Sequence, residues 1–85
     1  MTRIAKLHAW IVANPQASLR FRDFERLLVA AGFTLQRVNG SHRLYHHADL
    51  PVVMNVQPRG KDAKSYQIAQ FIAIIKEHGL TLGDD

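Results

Sequence analysis

The sequence predicts an α+β domain in which helices cover one face of a three-stranded antiparallel sheet, in the order α-α-β-β-β-α. Apolar residues recur at helical spacing before residue 32 and again after residue 63, and between these regions the period changes to two. Asn39-Gly40 divides the alternating region with a dipeptide typical of two-residue hairpin turns. Because 85 residues provide one modest core, we treat residues 1–85 as a single domain.

Two helices are predicted before the strands. The recurring apolar face of the first includes Ile4, Leu7, His8, Ile11 and Val12. This helix is expected to begin at Thr2 as N-cap and to end at Asn14-Pro15, and residues 16–20 form a connection. The second helix repeats the pattern at Phe24, Leu27, Leu28 and Ala31, and Gly32 follows where a glycine closes a helix.

Three strands and a last helix follow. Residues 33–38 and 42–47 alternate on either side of the turn, and a loop at Asn39-Gly40 would pair Leu35 with Leu44 on one buried face. The third strand spans residues 52–56, with its apolar side formed by Val52, Met54 and Val56. The last helix is predicted from about Ala63 to His78, with Gly79 as its stop.

The chain is basic, and its charge is concentrated around the predicted hairpin. The net charge is +4 and the isoelectric point is near 10.0. The positive residues between positions 37 and 64 are Arg37, Arg43, Arg59, Lys61 and Lys64, against Asp49 and Asp62. Such a patch suits a polyanion such as nucleic acid, although an ordinary solvated face has the same composition.

Composition also excludes several classes of protein. The chain has no cysteine, which excludes disulfide frameworks and thiolate metal sites. No apolar run approaches the roughly 18 residues that span a bilayer, and the N-terminus lacks the apolar region of a signal peptide. We therefore expect a cytoplasmic protein with no membrane partner.

Several kinds of catalytic site fit these residues poorly. Seven scattered acids offer no carboxylate cluster for two metals. A zinc site from His42, His46 and His47 is disfavoured because adjacent strand residues point to opposite faces. Gly60 stands alone rather than in a phosphate-binding glycine loop. Ser41 and His42 are neighbours on an extended segment and diverge, so Ser41 is expected to be a turn residue.

The remaining chemistry is acid–base catalysis by one imidazole on a substrate that supplies its own nucleophile. RNA is such a substrate, because its 2′-hydroxyl lies beside the scissile phosphate. His42, held on a strand just after the turn, is the candidate catalytic residue. Arg43, Lys61 and Lys64 are the nearest cations in sequence for stabilising the phosphorane.

Short motifs occur in a fixed order along this region: Gly32-Phe33, Gly40-Ser41-His42, Tyr45, Asn55-Val56-Gln57-Pro58 and Lys64-Ser65-Tyr66-Gln67. Over roughly residues 24–80 they resemble the HicA family of bacterial toxin–antitoxin ribonucleases. One branch of that family often has proline where this chain has Ser65, and many members have a histidine where it has Gln57. A second proton-transfer group is therefore not assigned.

The resemblance implies a double-stranded-RNA-binding-like fold and an endoribonuclease that cleaves mRNA and stops translation. It maps the catalytic histidine onto His42 and implies a HicB antitoxin that covers the active face. Residues 22–80 form the HicA-like core, and residues 1–15 form an added N-terminal helix. We expect no metal and no cofactor.

The predicted RNA contacts combine the turn, the basic segment, two tyrosines and the start of the last helix. They are Gly40, Ser41, Arg43, Tyr45, Lys61, Lys64, Tyr66 and Gln67. Tyr45 is equally suited to cross-strand packing, and Tyr66 with Gln67 to a helix cap. An antitoxin surface is expected around Arg37 and the same segments. Two alternatives stay open: a non-catalytic RNA-binding module and a protein–protein adaptor that uses the exposed sheet face.

Overall fold

The computed structural model describes residues 2–83 and confirms the predicted fold class and element order. Two helices, α1 (Ile4–Ala13) and α2 (Phe21–Ala30), precede the sheet, and α3 (Ser65–His78) follows it. The sheet contains β1 (Phe33–Asn39), β2 (His42–His47) and β3 (Val53–Val56), antiparallel and in the order β1-β2-β3. No helix within the described residues has the length and apolar character needed to cross a membrane.

The helices form where their apolar periodicity predicts them. α1 buries Ile4, Leu7 and Ile11, and its N-cap is Arg3 rather than the expected Thr2. The buried face of α2 is formed by Phe21, Phe24, Leu27 and Leu28. The buried face of α3 is formed by Gln67, Ile68, Phe71, Ile72 and Ile75. The predicted end of this helix at Gly79 is confirmed, because Gly79 has a left-handed φ of 60°. The Phe24 and Phe71 rings meet edge to face in the core, with centroids 5.6 Å apart.

The predicted pairing of Leu35 with Leu44 is wrong. The turn residues are Gly40 and Ser41, so that Asn39 pairs with His42 and Arg37 pairs with Leu44. Only Gly40 has a positive φ in this turn, 62°, as the first central position of a type II′ turn needs. A bulge between Leu35 and Arg37 then brings Leu35 opposite Tyr45.

The revised register reverses the two faces of β2. Tyr45, 3% exposed, packs in the core, whereas Leu44 lies on the opposite face. Met54, paired with Tyr45, and Val56 lie in the core with it, as the alternation of the third strand predicts. The other side of the sheet, here called the open face, consists mainly of exposed residues: Thr34, Arg37, Asn39, His42, Leu44, His46, Val53 and Asn55.

A second, smaller hairpin precedes α3 and was not predicted. β4 (Pro58–Arg59) pairs with β5 (Asp62–Ala63), so α3 begins at Ser65 and not near Ala63. Strands of two residues are too short to show alternation. The hairpin also bonds to the connection before α2, because the amide of Phe21 donates to the Lys61 carbonyl at 2.9 Å and that of Ala63 to the Leu19 carbonyl at 2.8 Å. Residues 16–20 are thereby fixed beside the start of α3.

A histidine ring joins the end of α2 to the loop after β2. Nε2 of His47 lies 2.9 Å from the Ala31 carbonyl, and the amides of Asp49 and Leu50 donate to Nδ1 at 3.1 and 3.2 Å. Because Nδ1 accepts these bonds, the proton of the neutral ring is on Nε2 and is donated to Ala31. The ring is thus fixed directly against Gly32, whose φ is 100°.

Candidate functional site

His42 lies on the open face, at the first position of β2. Its pairing with Asn39 fixes the backbone, and the exposed turn residues Gly40 and Ser41 precede it. His42 and Leu44 alternate onto the same side of β2. His42 is exposed on this side of the sheet.

A shallow depression of about 170 Å³ surrounds His42. The register explains its lining: Arg37, Leu44 and Asn55 form one cross-strand row, and Asn39 with His42 form the next. The lining residues are Arg37, Asn39, His42, Leu44 and Asn55. The depression therefore combines an imidazole that can exchange protons, a guanidinium that can bind an anion, and two side-chain amides.

Three lining residues, Arg37, Asn39 and Asn55, were not predicted as site residues. Each shares the open face with His42 through the observed strand pairing, because Asn39 is opposite His42 and both Arg37 and Asn55 are opposite Leu44. Asn55 stands in a motif that the sequence did offer, Asn55-Val56-Gln57-Pro58, but the motif alone does not indicate which face it occupies. Once the register is known, the alternation of side chains along each strand places all three residues on the same face as His42.

Arg43 and Tyr45, both predicted RNA contacts, lie on the opposite face of β2 from His42. Arg43 forms an ion pair with Glu25 at 3.1 Å, and its guanidinium is 6.0 Å from the centroid of the Phe21 ring. The Tyr45 hydroxyl donates to the same Glu25 carboxylate at 2.7 Å. Burial, together with this hydrogen bond, raises the pKa of Tyr45. The pair anchors α2 to the sheet, and the buried Tyr45 ring has no face available for a base.

Gln67, another predicted RNA contact, is buried and joins α3 to the end of β3. Its Oε1 accepts from the amide of Gln57 at 3.2 Å, and its Nε2 donates to the Asn55 carbonyl at 3.1 Å. The side-chain amide of Gln67 thus forms, at the end of β3, the two hydrogen bonds that a neighbouring strand would otherwise form with these backbone groups. Gln67 positions Asn55, which lines the depression, rather than contacting ligand itself.

The remaining predicted contacts lie outside the depression around His42. Lys61 is exposed in the turn between β4 and β5. Lys64 and Tyr66 line a larger depression, about 540 Å³, at the start of α3. Tyr66 is 64% exposed. The structure therefore leaves Lys61, Lys64 and Tyr66 outside the depression that contains the candidate catalytic histidine.

The histidines of β2 do not converge. His46 is exposed on the open face, and His47 is on the other, hydrogen-bonded between Ala31 and the following loop. Within residues 2–83, no group of three or more histidine or carboxylate side chains is placed to hold a metal ion.

A family model described as the HicA toxin of bacterial toxin-antitoxin matches residues 21–80. The matched region contains α2, the strands and α3, and it leaves α1 outside. No curated protein and no solved structure matches the chain.

Proposed function

The chain belongs to the HicA family of toxins of bacterial toxin–antitoxin systems, and from this premise we propose that it is a metal-independent endoribonuclease that cleaves mRNA through His42. The family resemblance expected from the sequence is thereby confirmed. The observation that most supports the activity is the position of His42, exposed on a rigid strand in a depression that also contains Arg37. The location is expected to be the cytoplasm, where mRNA is translated.

The proposed reaction is an internal transfer at phosphorus. His42 removes the proton of a ribose 2′-hydroxyl, and the 2′ oxygen attacks the adjacent phosphate. Arg37, on the same face, stabilises the negative charge of the phosphorane. The bond to the 5′ oxygen then breaks, and that oxygen takes a proton from the imidazolium or from water. The products are a 2′,3′-cyclic phosphate and a free 5′-hydroxyl.

The lining amides suit the same substrate. Asn39 and Asn55 each present a donor and an acceptor beside His42, which are the groups needed to bind a ribose hydroxyl or a base edge. Strand pairing fixes the backbone of both residues, so their side chains extend from defined positions beside His42.

We expect RNA cleavage to persist in excess EDTA, because the RNA supplies the nucleophile and His42 the base. The measurement is the rate of cleavage of a labelled RNA with and without chelator, together with analysis of the 3′ ends for cyclic phosphate. An RNA of the same sequence with 2′-O-methyl groups should resist cleavage. Loss of activity in EDTA with recovery on adding Mg²⁺ would contradict the proposed mechanism.

A toxin of this family acts within a system that contains an antitoxin. We propose that the partner is a HicB-like protein that covers the open face and blocks His42. The face has the composition of an interface, because it combines an apolar residue, Val53, which is 52% exposed, with the exposed cation Arg37. An acidic partner would associate rapidly through Arg37 and bury the apolar part.

Charge reversal of Arg37 should weaken this complex. For Arg37→Glu we expect roughly a tenfold or greater loss of affinity for the antitoxin, because a like charge replaces an attractive one. Calorimetric titration of the His42→Ala protein with the product of the neighbouring reading frame measures the effect. The matched control is Lys76→Glu, which makes the same charge change at an exposed site on α3. Equal affinities for the two variants would place the antitoxin elsewhere.

A further inference from the structure

Two neighbouring depressions lie on the surface on either side of the connection at residues 16–20, between α1 and the start of α3. One half, about 340 Å³, lies against α1, and the other, about 540 Å³, lies against the start of α3. Ser18 lines both halves, so they meet at that residue. We call this surface the α1–α3 groove.

The α1–α3 groove is positively charged. Its cations are Lys6 and Arg20 in the half against α1, and Arg59 and Lys64 in the other. None of these four forms an ion pair with any residue that the structure describes. Its acids are Asp62 and Asp23, of which Asp23 is neutralised by Arg26 at 3.2 Å. The groove therefore offers unpaired positive charge along its whole length.

Each half also has one exposed aromatic ring. Trp10 is 42% exposed and lines the half against α1, whereas Tyr66 is 64% exposed and lines the half against α3. Core packing does not account for either ring. Trp10 lies on α1, which precedes the residues matched by the family model, so membership of the family assigns it no role.

The α3 end of the groove adjoins the depression around His42. Tyr66 is followed by Gln67, whose Nε2 donates to the Asn55 carbonyl at 3.1 Å. The Asn55 side chain lines the depression that contains His42. Gln67 thus connects the start of α3, where the groove ends, to the strand that carries Asn55.

We propose that the α1–α3 groove binds the single-stranded RNA that flanks the cleaved bond, with bases stacked on Tyr66 and Trp10 and phosphates held by the four cations. This inference rests on the proposed ribonuclease function. Unpaired cations combined with exposed rings are the features by which proteins bind single strands, because every base has a face that can stack. A duplex, whose base faces are already stacked on each other, would leave both rings unused.

Trp10 is the only tryptophan of the chain, so its fluorescence reports directly on this groove. The experiment titrates full-length His42→Ala protein with a short 2′-O-methyl oligouridine, which cannot be cleaved. We expect a saturable change in Trp10 emission, and no such change with a duplex of similar length.

Variants measured by anisotropy of a labelled oligouridine then test each half. Trp10→Ala and Tyr66→Ala should each weaken binding roughly 5- to 100-fold through lost stacking. Val12→Ala, which truncates another exposed apolar residue of α1, should have no effect. Lys64→Glu should weaken binding and reduce the salt dependence by about 0.7 units of slope per lost phosphate contact, whereas Lys76→Glu should change neither.

The outcomes separate this inference from the proposed activity. Binding of the oligouridine with unchanged Trp10 emission and unchanged affinity in both aromatic variants would overturn the groove and leave the His42 mechanism standing. Groove binding by a chain that fails to cleave any RNA would support the groove and overturn the mechanism. If Trp10→Ala weakens only the antitoxin complex, the groove binds protein and the inference is wrong.

Discussion

Replacing His42 with alanine is expected to reduce the rate of RNA cleavage by about 10²- to 10⁴-fold, the usual contribution of one acid–base group. The fold should be unchanged, because the side chain is exposed and removing it leaves no cavity in the core. Single-turnover cleavage of a labelled RNA, with circular dichroism on the same preparation, measures both effects.

The matched control is His46→Ala. His46 is also an exposed histidine on the open face of β2, but it lies beyond Leu44 and does not line the depression. The His46→Ala protein should therefore cleave RNA at close to the rate of the unmodified chain. His42→Ala should also bind 2′-O-methyl RNA as tightly as the unmodified protein, because the lost group acts on the proton and not on affinity. Undiminished cleavage by His42→Ala would show that His42 is not the catalytic residue.

The second large effect is expected for Gly32→Ala, which should lower the free energy of unfolding by roughly 2–4 kcal/mol. Two costs combine at this position. The φ of 100° is strained for any residue with a Cβ, and an added Cβ would lie 2.8 Å from Nε2 of His47. The ring cannot move away cheaply, because it is hydrogen-bonded to Ala31 on one side and to Asp49 and Leu50 on the other. Urea unfolding monitored by circular dichroism measures the loss.

Gly79→Ala provides the control for backbone strain alone. Its φ is also positive, 60°, but an added Cβ would meet no atom within 4 Å, so we expect a loss of only about 1 kcal/mol. A double-mutant cycle with His47→Ala isolates the contact. The cost of Gly32→Ala should be smaller when the ring is absent. An equal cost in both backgrounds would show that the contact with His47 is unimportant.

Local pattern was sufficient for the three helices and for the strands of the larger sheet. Helical spacing of apolar residues predicted α1, α2 and α3, and alternation predicted β1 to β3, because each period reflects which side chains must leave water. Gly32 and Gly79 were predicted as helix ends because few other residues adopt their backbone conformation. The small hairpin of β4 and β5 was not predicted, because a strand of two residues is too short to show an alternating pattern of apolar and polar side chains.

Faces of the sheet could not be assigned from the same pattern. The bulge between Leu35 and Arg37 shifts the register by one residue and brings Leu35 opposite Tyr45, which lies in the core in place of Leu44. Strand parity is binary, so a shift of one residue sends every side chain to the other face. For this reason Tyr45 and Arg43 became anchors for Glu25 rather than RNA contacts, and the side of β2 that carries His42, together with Arg37, is the open face.

The sequence by itself determined the element order, the family and the candidate histidine, because each depends on residues that are neighbours along the chain. Only the tertiary structure decided what surrounds that histidine. Arg37 and Asn55 come from the two strands on either side of β2, and the α1–α3 groove joins residues 6–20 to residues 59–66. Such contacts depend on strand register and on packing between segments that are distant in the chain, and neither produces a periodic pattern in the sequence.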